Sequence, residues 1–528
     1  MKDDLAKLVE AIDAGRISRR SFLNRTAAFG LTAALGTTLL PNGARADEPK
    51  QGGILKMGIS NGESTDTMDP GLANANYTFA LNRQWGDTIV NVSPTGEIEM
   101  VLAETMNVND DGSVWTFGIR DGVTFHNGAA LTAEDVAQTY RRHSDENSKS
   151  GALGIMKGIT TIAVDGKNVV LTLTGGNADL PYLLSDYHLV IQPNGGIDAP
   201  VAGVGTGPYT LTSFEPGVRA VFAKNANDWD KARGHYDGVE LIAINDSTAR
   251  TAALQSGEIH VANRVDPKVA KLLSKAPGVV VTNAPGRGHY VFIMHCDVAP
   301  FDNNDLRLAL KYAINREEMV EKILDGYGSI GNDTPINKAY PLFDEALPQR
   351  PFDLAKAAEH YKASGHDGSP IVMQVAEGAF PGAVDAAALF QQTAQAAGIP
   401  LEIKREPDDG YWDTIWNVAP FCASYWGGRP VQDQMYSTAY LSTADWNDTR
   451  FKNADFDALL SSARGETDLV KRKEIYAQMA TMVNETGGTI CPMFNDFVDA
   501  YSDTLAGWVV DPNYEASGGF ASSRTWFA

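Results

Sequence analysis

The residues best suited to gripping a small molecule lie in one stretch, Phe421-Cys422-Ala423-Ser424-Tyr425-Trp426-Gly427-Gly428-Arg429-Pro430, with Tyr411, Trp412 and Trp416 before it and Asp433 after it. Aromatic faces beside a guanidinium on a glycine-bearing loop can pack against an apolar body and hold an oxyanion. Arginine's planar fork pairs with a carboxylate through two parallel hydrogen bonds, and exclusion of water strengthens the pair. Arg429 is therefore expected to clamp a carboxylate, with Trp426, Tyr425 and Trp412 against the rest of the guest. Gly427 and Gly428 would let the backbone approach closely. The competing reading puts the aromatics in a core and pairs Arg429 with Asp433. Asn74, Asn76 and Tyr77 after the first strand, and Asn495 near the C-terminal part, are further cleft candidates.

Other motifs carry less. Gly58-Ile59-Ser60-Asn61-Gly62 matches the G-x-S-x-G elbow of serine hydrolases, which makes an exported hydrolase the enzymatic alternative. An elbow needs a helix directly after the serine and earlier strands for its oxyanion hole, whereas Glu63 to Pro70 is loop-like and Ser60 follows the first strand. Gly203-Val204-Gly205-Thr206-Gly207 runs into Pro208 rather than a helix, and no G-x-x-x-x-G-K motif is present, which argues against nucleotide binding. The nine histidines show no H-E-x-x-H or H-x-H spacing, and His289 and His295 need not share an orientation. Cys296, Cys422 and Cys491 fit no metal site and read as small buried apolar residues, a disulfide between two of them being the alternative. No catalytic residue, metal or cofactor is expected.

Residues 1–46 read as an export signal. Ser18-Arg19-Arg20-Ser21-Phe22-Leu23 precedes a mainly apolar run from Ala27 to Leu40, and Ala44-Arg45-Ala46 offers a cleavage site. At about 14 residues the run is shorter than the roughly 20 that span a bilayer. This is the pattern read by the twin-arginine translocase, so the mature chain is expected in the periplasm. The formal charge of −22 becomes more negative once the signal is gone, which argues against nucleic acid and anionic membrane as partners.

Elements that could position the loop follow from periodicity. Ile54-Leu55-Lys56-Met57-Gly58-Ile59 alternates as a strand; Gly112 to Arg120 and Val123 to His126 flank Asp121-Gly122 as a hairpin; Thr132 can cap a helix starting at Ala133. Strands are expected around Ile162 to Val164 and Val169 to Leu173. Helices are expected at 307–324, 353–363, 383–397, 455–462 and 469–484. The mixture is α/β, in two or three domains.

Several blocks, in order, resemble the extended (family 5) periplasmic solute-binding proteins of ABC importers, the dipeptide, oligopeptide and nickel-binding type. They are Met68-Asp69-Pro70, Leu102-Ala103-Glu104, Trp115-Thr116-Phe117, Phe125-His126-Asn127-Gly128, Leu131 to Val136, Gly205 to Tyr209, Gln255 to Ile259, Arg307 to Arg316 and Asp353 to Ala357. The resemblance implies a three-lobed type II binding-protein fold hinged by two crossover segments. Lobe I would hold 47–80, 205–285 and 496–528, lobe II 81–204 and lobe III 286–495. It also implies a monomer that takes a small peptide or peptide-like solute between lobes I and III and delivers it to ABC permease subunits. In peptide-binding members the loop after the key strand looks like Trp-x-x-Asp, whose aspartate meets the ligand's ammonium. Here Trp426 keeps the aromatic and Arg429 stands in the aspartate's place, which favours a carboxylate-bearing guest, or an opine, metal chelate or other non-peptide solute.

Overall fold

The strand Ile54–Ile59 runs through the middle of a seven-stranded mixed sheet in the computed structural model, which describes residues 48–528. The expected export signal at 1–46 lies outside the described residues. The sheet order is Val279–Ala284, Phe497–Ser502, Val261–Ala262, Ile54–Ile59, Gly238–Ala243, Arg219–Lys224 and Tyr209–Glu215, so it gathers distant parts of the chain. Ile54–Ile59 is parallel to both neighbours. Its inward Leu55, Met57 and Ile59 pack with Tyr77, Leu81 and Trp85 of the helix Asn76–Trp85.

A second, antiparallel sheet is ordered Ala103–Val108, Val114–Ile119, Asn168–Leu173, Ile159–Asp165. The expected hairpin between Val114–Ile119 and Val123 to His126 does not form. Both edges of Val114–Ile119 are already taken, by Ala103–Val108 and Asn168–Leu173, and Val123 to His126 is left as a turn bridged only at Thr124 and Ala130. Thr132 does cap the next helix, its Oγ1 accepting from Asp135 N at 3.3 Å.

The third sheet is ordered Gly328–Ile330, Thr489–Asn495, His289–Met294, Phe421–Trp426, Ile371–Val375, Leu401–Arg405. Its two central strands, His289–Met294 and Phe421–Trp426, are buried at every residue, in keeping with their mainly apolar sequences. Most of the expected helices appear within a few residues: Leu354–Ala363, Ala383–Ala396, Ala454–Gly465 and Leu469–Thr486. The stripe at 307–324 is instead two helices, Asn304–Ala313 and Arg316–Lys322. Ile314 is extended, and the Asn315 side chain accepts from Glu318 N at 3.2 Å, so a polar cap restarts the helix where the apolar period runs on uninterrupted. Gln51–Phe527 forms one compact α/β unit, and none of the helices among the described residues is long and apolar enough to cross a membrane.

Candidate functional site

The loop after Phe421–Trp426 meets three other segments at a cavity of about 70 Å³, walled by Phe79 and Arg83 of the helix Asn76–Trp85, by Asp186 and Tyr187, by Arg429, and by Tyr514 of the C-terminal segment. Gly428 makes the turn possible. Its φ is +80°, and a Cβ there would stand 2.7 Å from the Arg287 carbonyl carbon. Gly427 leaves room for the Tyr514 ring, which a Cβ would approach to 2.8 Å. Both glycines thus admit protein neighbours.

Arg429 is buried on the cavity wall. Its backbone N donates to Tyr340 Oη at 3.0 Å, Nη2 to Tyr187 Oη at 3.0 Å and Nη1 to the Gly428 carbonyl at 2.8 Å. The nearest carboxylate oxygen is Asp186 Oδ2, 3.8 Å from Nε, which has no hydrogen-bond partner. Burial works against the guanidinium's charge, but Tyr187 and Asp186 outweigh it and hold the pKa above its ordinary value. Asp433, the alternative partner, is bound elsewhere: Arg464 Nε donates to both its oxygens at 3.0 Å, and Ser437 and Asn177 complete its shell.

The aromatics form a block behind this wall. Trp416 and Trp426 both donate their indole N–H to Asp448 Oδ2, at 3.0 and 3.2 Å, and both pack edge-on against Trp446. Burial pushes the Asp448 carboxyl up to about 7 against the lowering effect of these two bonds. Trp426 therefore faces the protein interior and does not line the cavity. Trp412 packs edge-on against Tyr425, with centroids 5.1 Å apart, and its backbone N donates to Glu63 Oε1 at 3.2 Å. Tyr425 Oη donates to Asn76 Oδ1 at 2.8 Å, and the Arg264 guanidinium lies 3.8 Å over its ring.

Of the remaining candidates, Asn74 bridges to Asp413 Oδ1 at 3.0 Å, while Tyr77 is core, donating to the Leu241 carbonyl at 3.2 Å. Asn495 stands beside a separate small cavity with Arg264 and Glu515. The residues that sequence reasoning missed are Phe79, Arg83, Asp186, Tyr187, Gln434 and Tyr514, which also line the cavity beside Arg429. A signal existed for one: Arg83 is a lone cation on an otherwise buried helical face.

Nucleophilic chemistry finds no footing at Ser60. Its Oγ lies among the amides of Asn61, Asn76 and Asn263, with no imidazole or carboxylate in hydrogen-bond reach among the described residues, and residues 61–69 form no helix. An activated serine needs an adjacent base, so the hydrolase alternative falls. Cys422 and Cys491 are buried free thiols as read from the sequence; Cys296, also unpaired, is half-buried.

Residues 97–448 match the family model described as bacterial extracellular solute-binding proteins, family 5 Middle. The chain belongs to this family. The glutathione-binding protein GsiB of Salmonella typhi is 25% identical over 480 residues, which cover 86% of this chain and 92% of the relative. Among solved structures, DppA from Helicobacter pylori in complex with the peptide STSA superposes with a TM-score of 0.81 at 21% identity, covering 90% of this chain and 98% of that one. AgaA from A. tumefaciens R10 in complex with agropinic acid gives 0.81 at 21% identity, covering 90% and 99%. The family 5 resemblance and the periplasmic-binding-protein fold expected from the sequence therefore stand, and solute binding is the function.

Proposed function

We propose that this family 5 protein captures a carboxylate-bearing solute, peptide or opine-like, in the cavity beside Arg429 and hands it to the permease of an ABC importer. The observation that carries this reading is Arg429 itself, a buried cation on the cavity wall whose Nε lacks a hydrogen-bond partner and whose nearest carboxylate stands off at 3.8 Å. Buried charges that are left incompletely paired cost stability unless a ligand completes them. The relatives' solutes agree in chemistry, since glutathione, agropinic acid and a tetrapeptide all bear carboxylates.

The three sheets correspond in this reading to three lobes, with 47–80, 205–285 and 496–528 in lobe I, 81–204 in lobe II and 286–495 in lobe III. Hydrogen bonds such as Asn61 to the Gly378 carbonyl (2.6 Å), Ser64 to Asp409 and Asn74 to Asp413 then join lobes I and III in a closed form. Ligand shifts an open–closed equilibrium; a solute preferring the closed form by about 10⁴-fold takes the population from nearly all open to nearly all closed. Work as a monomer in the periplasm after twin-arginine export, and without catalysis, belongs to the same proposal.

The test is native mass spectrometry of protein purified from periplasm, followed by calorimetry with the released solute. Arg429→Ala should weaken that solute about 100-fold, the loss expected when one partner of a buried charged pair is removed. Unchanged affinity rejects the clamp.

A further inference from the structure

The cavity beside Arg429 carries more positive charge than one carboxylate can answer. His188 sets this balance. Its Nε2 lies 2.8 Å from the Ala73 carbonyl, which can only accept, so Nε2 carries a proton. Its Nδ1 lies 2.5 Å from Asp186 Oδ1. Asp186 also receives the His188 backbone N–H at 3.1 Å and the Gln434 amide at 3.2 Å, an arrangement of donors that suits an ionised carboxylate. Against the cost of burial, His188 and then Arg429 hold its pKa well below the usual range. The Nδ1–Oδ1 contact needs one proton between the two atoms, so the His188–Asp186 pair as a whole is neutral and leaves little charge to answer Arg429.

With Asp186 answered by His188, two guanidiniums face the cavity without a full counter-charge. One is Arg429. The other is Arg83, which has no ion pair among the described residues; it donates to Asn91 Oδ1 at 3.2 Å and weakly to the Ser185 carbonyl at 3.5 Å, and stacks 4.6 Å over Phe520. Asp511, the other carboxylate on the wall, is taken by Arg524 at 2.8 Å. Asp87, further from the cavity, is taken by Arg233 at 2.7 Å. Burial lowers Arg83 to about 10, the mark of a cation that its surroundings do not fully support. Two buried polar atoms also lack partners here: Arg429 Nε, a donor, and Gln434 Oε1, an acceptor.

Building on the carboxylate reading above, we infer that the cavity selects a doubly anionic head, a dicarboxylate bearing an N–H or O–H donor, with one charge answered by Arg429 and the other by Arg83, and the donor by Gln434 Oε1. Arg83 is then a specificity residue: it separates dianions from monoanions of the same shape.

Matched probes test this by calorimetry: N-acetyl-glutamate against N-acetyl-glutamine, and acetyl-Ala-Glu against acetyl-Ala-Gln. In each pair that binds, the dianion should bind at least about tenfold more tightly, consistent with loss of a charge-assisted contact. Arg83→Gln should erase that preference, and Arg83→Lys should restore part of it; thermal melting of both variants checks their folding. Equal or better binding of the monoanions, a preference that survives in Arg83→Gln, or failure of every dianion in the set to bind overturns the inference. The solute recovered in native mass spectrometry separates the two claims. A solute with a single acidic group that binds wild type defeats the dianion inference and leaves the carboxylate reading standing, whereas a solute with none defeats both.

Discussion

Arg264 and Arg429 are both buried guanidiniums set against a tyrosine, yet their surroundings differ. Arg264 donates Nε to Glu515 Oε1 at 2.7 Å and Nη1 to Asn61 Oδ1 at 2.9 Å, while Glu515 Oε2 accepts from Asn263 and Asn76. Arg429 has only a hydroxyl, its neighbour's carbonyl and a carboxylate at 3.8 Å. The first set is closed on itself and ties the C-terminal segment to the loops beside Ile54–Ile59 and Val261–Ala262. The second is open on one side, toward a cavity. In a buried polar network, completeness distinguishes a fastening from a receptor surface.

The most damaging way to break this comparison is Glu515→Ala. It leaves Arg264 buried without a counter-charge and should cost about 3–5 kcal/mol of unfolding free energy in urea melts. Arg429→Ala should instead leave the unliganded protein nearly as stable while reducing solute affinity. If the two variants lose equal stability, the distinction fails.

A smaller effect comes from Asp499, beside Glu515. Burial, reinforced by Glu515, pushes its carboxyl up to about 8, and its Oδ1 has no partner. The native state thus keeps a proton that the unfolded chain releases above about pH 4. This contribution to stability is complete below about pH 4 and is lost as pH rises through about 8. Asp499→Asn, neutral at every pH, should flatten the melting-temperature profile between pH 4 and 8 and raise it at pH 8; a profile parallel to wild type contradicts the assignment.

The smallest effect is expected from Trp426→Phe. Removing one indole bond to Asp448 should cost about 1 kcal/mol of stability. Solute affinity should stay within about twofold, because the ring faces away from the cavity. A larger loss would return Trp426 to the binding surface.

Much of the scaffold was readable from local pattern. Ile54–Ile59 alternates because one face is packed on Tyr77 and Leu81, and Thr132 announces its helix through a side chain that satisfies the helix's own first turn. Where local pattern misled, tertiary competition decided. Val123 to His126 looks like the return arm of a hairpin, but Asn168–Leu173, nearly fifty residues on, takes that edge. At the candidate site, Arg429 and its glycines were legible because they are consecutive. Asp186 and Gln434 were not, since they reach the cavity from separate segments and neither stands out among its neighbours; Arg83, the lone cation of its helix, stands out, but nothing local ties it to Arg429. Trp426 was singled out for its composition, which cannot tell an aromatic that faces a cleft from one bound to an interior carboxylate.

The block of indoles has an optical consequence. Four of the nine tryptophans, Trp412, Trp416, Trp426 and Trp446, are in mutual contact, and Trp446 meets the His188 ring edge-on at 4.8 Å. Indole emission responds to the rings packed against it, and the His188 ring is one of those around Trp446. Under the lobe boundaries proposed above, Trp446 falls in lobe III and His188 in lobe II, so a change of emission on adding solute would report movement between them without any added label.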